Sequence, residues 1–206
     1  MKQKKLWTAL ALLAAFALWT LAVKWVDVQP IGPLSSSVGF AALNGAFHRM
    51  TGVHWSLYTL TDWLSLIPLG FVAGFGVLGL AQWIRRKKLL RVDRSILILG
   101  GFYLAVLAAF VLFEVFPVNF RPVLIEGVLE ASYPSSTTML VMCVMPTAAM
   151  ELRRRIRNRA VTWIIAAFTV FMVAGRLLSG VHWLTDIIGG GLLSAGLVIL
   201  YDSLNN

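Results

Sequence analysis

The sequence contains six apolar segments of about 20 residues, which is the length that a helix needs to cross the hydrocarbon core of a bilayer. Their expected bounds are 6–26, 64–84, 95–116, 135–152, 161–178 and 184–201. Of the 206 residues, 59% are hydrophobic, well above the share found in soluble domains. We therefore expect an all-α, polytopic membrane protein, folded as a single membrane domain over residues 1–206 that forms a six-transmembrane-helix bundle.

The basic residues are concentrated beside these segments. Fourteen of the eighteen Lys and Arg residues fall in three groups: Lys2, Lys4 and Lys5; Arg85, Arg86, Lys87, Lys88, Arg91 and Arg94; and Arg153, Arg154, Arg155, Arg157 and Arg159. With six crossings, all three groups fall on one side, which the positive-inside rule makes the cytoplasmic side. We expect a multi-pass plasma (inner) membrane protein with cytoplasmic N- and C-termini. The net charge of +9 then points to anionic lipid headgroups and not to nucleic acid.

The first apolar segment is too long for a signal peptide and has no small-residue cleavage site after it, so we expect an uncleaved anchor. The long outer segment 27–63 is rich in aromatic residues. This composition is typical of one or two interfacial helices, and equally of a simple aromatic belt.

Small residues recur in two of the apolar segments. They are Gly70, Gly74, Gly76 and Gly79 in the second, and Gly189, Gly190, Gly191 and Gly196 in the last. Such spacing favours close helix–helix packing. The single cysteine, Cys143, lies in an apolar segment and excludes both an intrachain disulfide and a thiolate zinc site. We expect neither a metal ion nor a cofactor.

Charged and titratable residues interrupt the apolar pattern between the last two segments. Arg176, His182 and Asp186 lie there. Because such groups are costly to place at a membrane boundary, their presence indicates a function. A carboxylate beside an imidazole fixes the tautomer and raises the basicity of the ring. Arginine offers a planar fork of donors to an anion. Together they indicate a phosphate site with a histidine nucleophile.

Two further outer stretches can meet this site. One contains Arg121. The other is 133–138, in which Pro134 and the hydroxyl residues Ser135, Ser136 and Thr137 predict a helix start. Because a helix N-terminus binds anions, we expect Arg121, Arg176 and the residues Ser135–Thr137 to bind phosphate together.

These residues resemble the motifs of the type 2 phosphatidic acid phosphatase family, which are integral-membrane lipid phosphatases. The family pattern Ser-Arg-x5-His-x3-Asp is matched by Arg176, His182 and Asp186, with Gly175 in place of serine. The resemblance covers most of the chain from about residue 95, and the six-segment topology fits all of it.

The other two family motifs are matched in part. In Lys-x6-Arg-Pro, Arg121 and Pro122 are present but Glu114 occupies the lysine position. In Pro-Ser-Gly-His, the matches are Pro134 and Ser135, followed by Ser136 and Thr137 in place of glycine and histidine.

The resemblance implies a membrane lipid phosphatase or pyrophosphatase that acts without metal at the outer face. His182 would attack phosphorus and become phosphohistidine, Asp186 would orient it, and Arg121 and Arg176 would hold the phosphate oxygens. The histidine that Thr137 replaces normally protonates the leaving group. Glu114, His48 and His54 are the alternative proton donors or modulators.

Three explanations of that replacement stay open. Another group supplies the proton; or the substrate is a lipid pyrophosphate, whose leaving group needs none; or the chain is an impaired family member that binds or moves phospholipids. A small membrane transporter is an alternative from another class, although the sequence shows no internal repeat. The expected partners are membrane lipids and a lipid phosphate substrate.

Overall fold

The computed structural model describes residues 2–156 and 158–205, and in these residues it has eight α-helices. The six long helices are α1 (Lys2–Trp25), α4 (Leu66–Arg86), α5 (Arg94–Val115), α6 (Ser136–Ile156), α7 (Arg159–Leu178) and α8 (Leu184–Asn205). Two shorter helices, α2 (Ala41–Thr51) and α3 (Trp55–Leu64), precede α4. The long helices agree with the six predicted segments to within about one turn. The all-α membrane fold is thereby confirmed.

Five stretches are both long enough and apolar enough to cross a membrane: α1, the continuous stretch Trp55–Arg86, α5, α7 and α8. Helix α6, the fourth of the six predicted crossings, is long enough to cross a membrane but is less apolar than these five stretches. The reason is its position, because α6 packs against α4, α5, α7 and α8 at the centre of the bundle. Its polar residues, including Thr147 and Glu151, are buried against protein instead of facing lipid.

The aromatic segment after α1 contains both α2 and α3, which confirms the prediction of helices in this region. Helix α3 runs into α4 at Ser65 and forms the first part of the stretch Trp55–Arg86. Helix α3 also packs against α7, the helix that carries Arg176.

The start of α1, the end of α8 and the described residues of the three basic groups lie at one end of the bundle. There Lys5 of α1 pairs with Asp202 of α8 at 2.5 Å. The fully buried Glu151 of α6 binds Arg155 at 2.5 Å and accepts a hydrogen bond from Tyr201 of α8 at 2.8 Å. Ser95 of α5 donates to the same carboxylate at 3.0 Å. A buried carboxylate is tolerated only with such partners, and these tie three helices together.

The glycines differ in how closely neighbouring atoms approach them. A Cβ on Gly189 would lie 2.6 Å from the Tyr133 ring, and a Cβ on Gly196 would lie 2.9 Å from Leu13, so both require close approach. The prediction of close packing is wrong for Gly70, Gly74 and Gly76, where a Cβ would meet nothing within 4 Å. All three glycines are exposed, and of the three Gly76 lines a cavity that α4 shares with α5 and α6.

Candidate functional site

Arg121 is held at the opposite end of the bundle by the loop between α5 and α6. The loop folds back on itself through an antiparallel bridge between Phe120 and Ala131, and the Arg121 amide donates to the Glu130 carbonyl at 3.0 Å. Arg121 is only 7% exposed. The loop therefore directs a guanidinium into the protein.

His182 lies in the tight turn between α7 and α8. This turn needs Gly180, whose φ is +71° and where a Cβ would lie 1.9 Å from the Gly52 carbonyl oxygen. The His54 amide also donates to the Ser179 carbonyl, at 2.9 Å. The connection between α2 and α3 thus packs on this turn and buries His182.

Asp186 lies in the first turn of α8 and is fully buried. Its Oδ2 accepts a hydrogen bond from the Trp183 amide at 3.0 Å, as in a capping box. The same oxygen lies 3.6 Å from His182 Nδ1. Asn119 donates to the other carboxylate oxygen at 3.4 Å. The carboxylate is fixed by the backbone and faces the imidazole.

The contact between Arg121 and His182 determines the tautomer of the ring. Arg121 Nη1 lies 3.1 Å from His182 Nε2. Because arginine only donates, Nε2 is the acceptor and carries a lone pair. The proton of the neutral ring then resides on Nδ1, on the side of Asp186. Nε2 therefore points toward a cationic side chain.

The surroundings of His182 favour its neutral form. Burial lowers its pKa well below 6.5, and the positive charges of Arg121 and Arg176 lower it further. The lone pair on Nε2 is thus available over a wide range of pH.

Arg121 also carries a carboxylate partner. Its Nε lies 2.9 Å from Glu130 Oε2, and the Glu130 side chain is 39% exposed. Arg121 Nη1 additionally donates to the Val181 carbonyl at 3.4 Å. Glu130, and not Glu114, is therefore the acidic partner of this arginine.

Arg176 is bound by residues of α3. Its Nη1 donates to the Tyr58 carbonyl at 3.3 Å and to Thr61 Oγ1 at 3.2 Å, and its guanidinium stacks 4.7 Å from the centre of the Tyr58 ring. Its Nη2 donates to Asp62 Oδ1 at 3.2 Å. Among the residues that the structure describes, buried Arg176 Nε has no hydrogen-bond partner. A donor with no acceptor in a buried site is suited to an anionic ligand.

The hydroxyl residues at the start of α6 differ in whether they face the protein interior or a cavity. Ser135 is fully buried, its amide donates to the Asp186 carbonyl at 3.1 Å, and its Oγ accepts from the Thr138 amide at 3.4 Å. Both groups of Ser135 are therefore engaged within the protein. Ser136 and Thr137 line a cavity together with Arg121 and Arg176.

That cavity has a volume of about 970 Å³ and an apolar wall. Its polar end contains both arginines, and its wall continues between α4, α5 and α6 as far as Trp83 and Leu89. From Leu69 to Trp83 the helix rises by about 21 Å. The cavity thus combines an anion-binding end with a channel that fits a hydrocarbon chain.

The other predicted proton donors lie elsewhere. Glu114 is exposed and lines a separate cavity of about 220 Å³ beside Arg121 and Glu130. His48 packs edge-on against Trp183 at 5.4 Å between ring centres, and burial lowers its pKa. His54 Nε2 lies 2.9 Å from the Thr51 carbonyl and faces a third cavity.

Residues 116–204 match the family model of the PAP2 superfamily. This stretch contains Arg121, Arg176, His182 and Asp186. The crystal structure of the first transmembrane PAP2 type phosphatidylglycerolphosphate phosphatase, from Bacillus subtilis, is similar to this chain, with a TM-score of 0.63 and 18% identity over 95% of this chain and 94% of that chain. No curated protein sequence matches this one. The chain thus has the fold of a transmembrane PAP2 protein.

The PAP2 region does not include every residue that shapes the site. Tyr58, Thr61 and Asp62 lie before it and were not singled out as site residues from the sequence, although they contact Arg176 directly. Asn119 and Glu130 lie within the region and were missed as well. Only the spacing of Tyr58, Thr61 and Asp62 on one helical face gave a signal, and it resembles that of any amphipathic helix. In residues 2–156 and 158–205, no three His, Cys, Asp or Glu side chains are placed to hold a metal ion.

Proposed function

We propose that this protein hydrolyses a lipid phosphate monoester or a lipid pyrophosphate through a phosphohistidine intermediate on His182, without a metal ion. The observation that carries the proposal is the 3.1 Å contact between Arg121 Nη1 and His182 Nε2. It brings the lone pair of a neutral imidazole next to a phosphate-binding group. A phosphate oxygen that takes over this donor of Arg121 brings phosphorus close to Nε2.

The roles of the other residues follow from their contacts. Arg121 and Arg176 stabilise the charge that spreads over the equatorial oxygens as phosphorus changes partners. Asp186 holds the Nδ1 proton and stabilises the positive charge that forms on the ring when Nε2 attacks. Its 3.6 Å distance from Nδ1 shortens in the reacting complex. Ser136 and Thr137 add donors at the start of α6.

The apolar cavity supports a lipid substrate. A phosphate at the arginine end places the attached hydrocarbon between α4 and α5, where the wall is apolar over about 21 Å. This length exceeds one leaflet of the hydrocarbon core, which is about 15 Å. Phosphatidic acid, phosphatidylglycerophosphate and polyprenyl pyrophosphate all carry chains that use this space.

The orientation follows from charge. The basic groups lie at the end away from the site, so the positive-inside rule places them in the cytoplasm together with both termini. The active site then faces outside or the periplasm of a plasma membrane. Substrates are those presented in the outer leaflet.

A panel of lipid mono- and diphosphates, presented to the purified protein in detergent micelles, tests the function. We expect phosphate release from at least one lipid by the wild type and none by His182→Ala. If the wild type binds these lipids but releases no phosphate, the chain is a phospholipid-binding member of the superfamily. That alternative is favoured by Thr137, which occupies the position of the leaving-group acid.

A further inference from the structure

The proposed reaction lacks a proton donor for the departing oxygen. A lipid alkoxide is a poor leaving group, and a positioned acid typically accelerates its departure by about 10²–10⁴. The threonine hydroxyl of Thr137 is too weak an acid for this task. The inference below rests on the proposed function and assigns the missing donor.

Asp62 is the acidic residue that shares the cavity with both arginines. Among the described residues that line the 970 Å³ cavity, it is the only one with a carboxyl or imidazole group. Its side chain is 56% exposed, whereas that of its partner Arg176 is 3% exposed. The carboxylate therefore lies on the accessible side of a buried guanidinium.

Other acids and histidines are less suitably placed. Glu114 and Glu130 line the smaller cavity and not the one that contains both arginines. Asp186 is fully buried behind His182, so it serves the nucleophile and not the leaving group. His48 and His54 do not line the cavity that contains the two arginines.

Helix α3 holds Asp62 in place independently of its own contact with Arg176. Tyr58 and Thr61, on the same helix, bind the guanidinium through a carbonyl, a ring and a hydroxyl. If a phosphate oxygen displaces the Asp62 carboxylate from Nη2, α3 stays attached to Arg176. Asp62 then remains beside the bound phosphate.

We propose that Asp62 donates the proton to the leaving oxygen and later removes one from the attacking water. In the first step His182 Nε2 bonds to phosphorus, the ester P–O bond breaks, and the carboxyl proton of Asp62 passes to the departing alkoxide. In the second step a water oxygen bonds to phosphorus, the P–N bond breaks, and the Asp62 carboxylate accepts a proton from that water. Inorganic phosphate leaves and the carboxyl group is restored.

The substrate can bring the first proton. Phosphate monoesters keep a second proton up to about pH 6. When the monoanionic phosphate lies beside Asp62 on the same guanidinium, the proton of the phosphate forms the hydrogen bond between the phosphate and carboxylate oxygens. The bound complex thus contains the acid that the free protein lacks.

The test compares leaving groups. Asp62→Asn is measured on a lipid alkyl phosphate and on p-nitrophenyl phosphate, whose leaving group departs without protonation. We expect Asp62→Asn to lower kcat on the lipid by about 10²–10⁴ and on p-nitrophenyl phosphate by less than about 10-fold. Asp62→Glu should restore part of the lipid activity, and Glu126→Gln, at an exposed turn, is the matched control.

An equal loss on both substrates would show that Asp62 only positions Arg176. A lower KM with unchanged kcat would show that Asp62 merely occupies Arg176 until substrate arrives. Either result overturns the proposal while leaving the phosphatase function intact, since His182-dependent turnover continues. If the wild type turns over neither substrate, the proposed function fails and the role of Asp62 fails with it.

Discussion

Arg121 Nη1 lies 3.1 Å from His182 Nε2, so a permanent cation donates a hydrogen bond to an imidazole lone pair. Such a contact favours the neutral ring and directs its lone pair toward the guanidinium. Under the proposed function, it holds the nitrogen that attacks phosphorus beside the group that binds phosphate.

Arg121→Gln should lower kcat/KM by about 10²–10³, the usual cost of removing one donor that stabilises transition-state charge. Arg121→Lys should recover little, because an ammonium cannot bind His182, Glu130 and phosphate with one planar fork. Steady-state phosphate release measures both. Arg49→Gln, an exposed arginine of α2, is the control and should retain wild-type rates. Full activity of Arg121→Gln would remove Arg121 from the mechanism.

The depressed pKa of His182 makes stability depend on pH. Below about pH 6.5 the unfolded chain binds a proton at this residue while the folded protein does not. The buried neutral His182 therefore has no effect on stability above pH 6.5 and destabilises the folded protein increasingly below it, by about 1 kcal/mol per pH unit. Thermal unfolding in detergent at pH 7.5 and 5.5 should show a larger loss for the wild type than for His182→Gln. Equal losses would mean that the imidazole is protonated in the folded protein.

Gly175 occupies the position where the family motif has serine, and α3 explains why. A Cβ at this position would lie 2.8 Å from Thr61 Cγ2. Gly175→Ser should therefore push α3 away from Arg176, destabilise the protein by about 1–3 kcal/mol and lower activity. Thr61→Ser removes the methyl group and keeps the hydroxyl that binds Arg176. The double variant should recover stability and turnover, and failure to recover would mean that the contact is not the cause.

Gly189 should be intolerant of a side chain, because a Cβ would lie 2.6 Å from the Tyr133 ring. Gly189→Ala should cost about 1–3 kcal/mol in stability, since the ring and α8 must separate. Gly191→Ala, whose Cβ would lie 3.9 Å from Met142 Sδ, is the matched control and should be neutral. Thermal unfolding in detergent compares the two, and similar melting temperatures would contradict the packing described here.

The sequence predicted the helices well because crossing a membrane requires a certain length and apolarity. Both properties can be read from each segment without knowing the rest of the fold. It also predicted that Arg121 would lie near Arg176, His182 and Asp186, three residues that stand out because charged and titratable groups at a membrane boundary are costly. It did not predict the contacts between α3 and Arg176, because Tyr58 and Asp62 have no distinguishing sequence pattern until the fold brings α7 beside them. The same reason applies to Gly70, Gly74 and Gly76, since spacing alone does not tell whether one face of a helix packs on a neighbour or stays exposed.

Trapping of the phosphoenzyme tests the central claim most directly. The protein is mixed with a ³²P-labelled lipid phosphate, quenched in alkali within the first turnover, and separated from lipid. The account predicts a label on the wild-type protein that is stable in alkali, labile in acid and absent from His182→Gln. Phosphate release by the wild type with no protein-bound label, or a label that persists in His182→Gln, would contradict it.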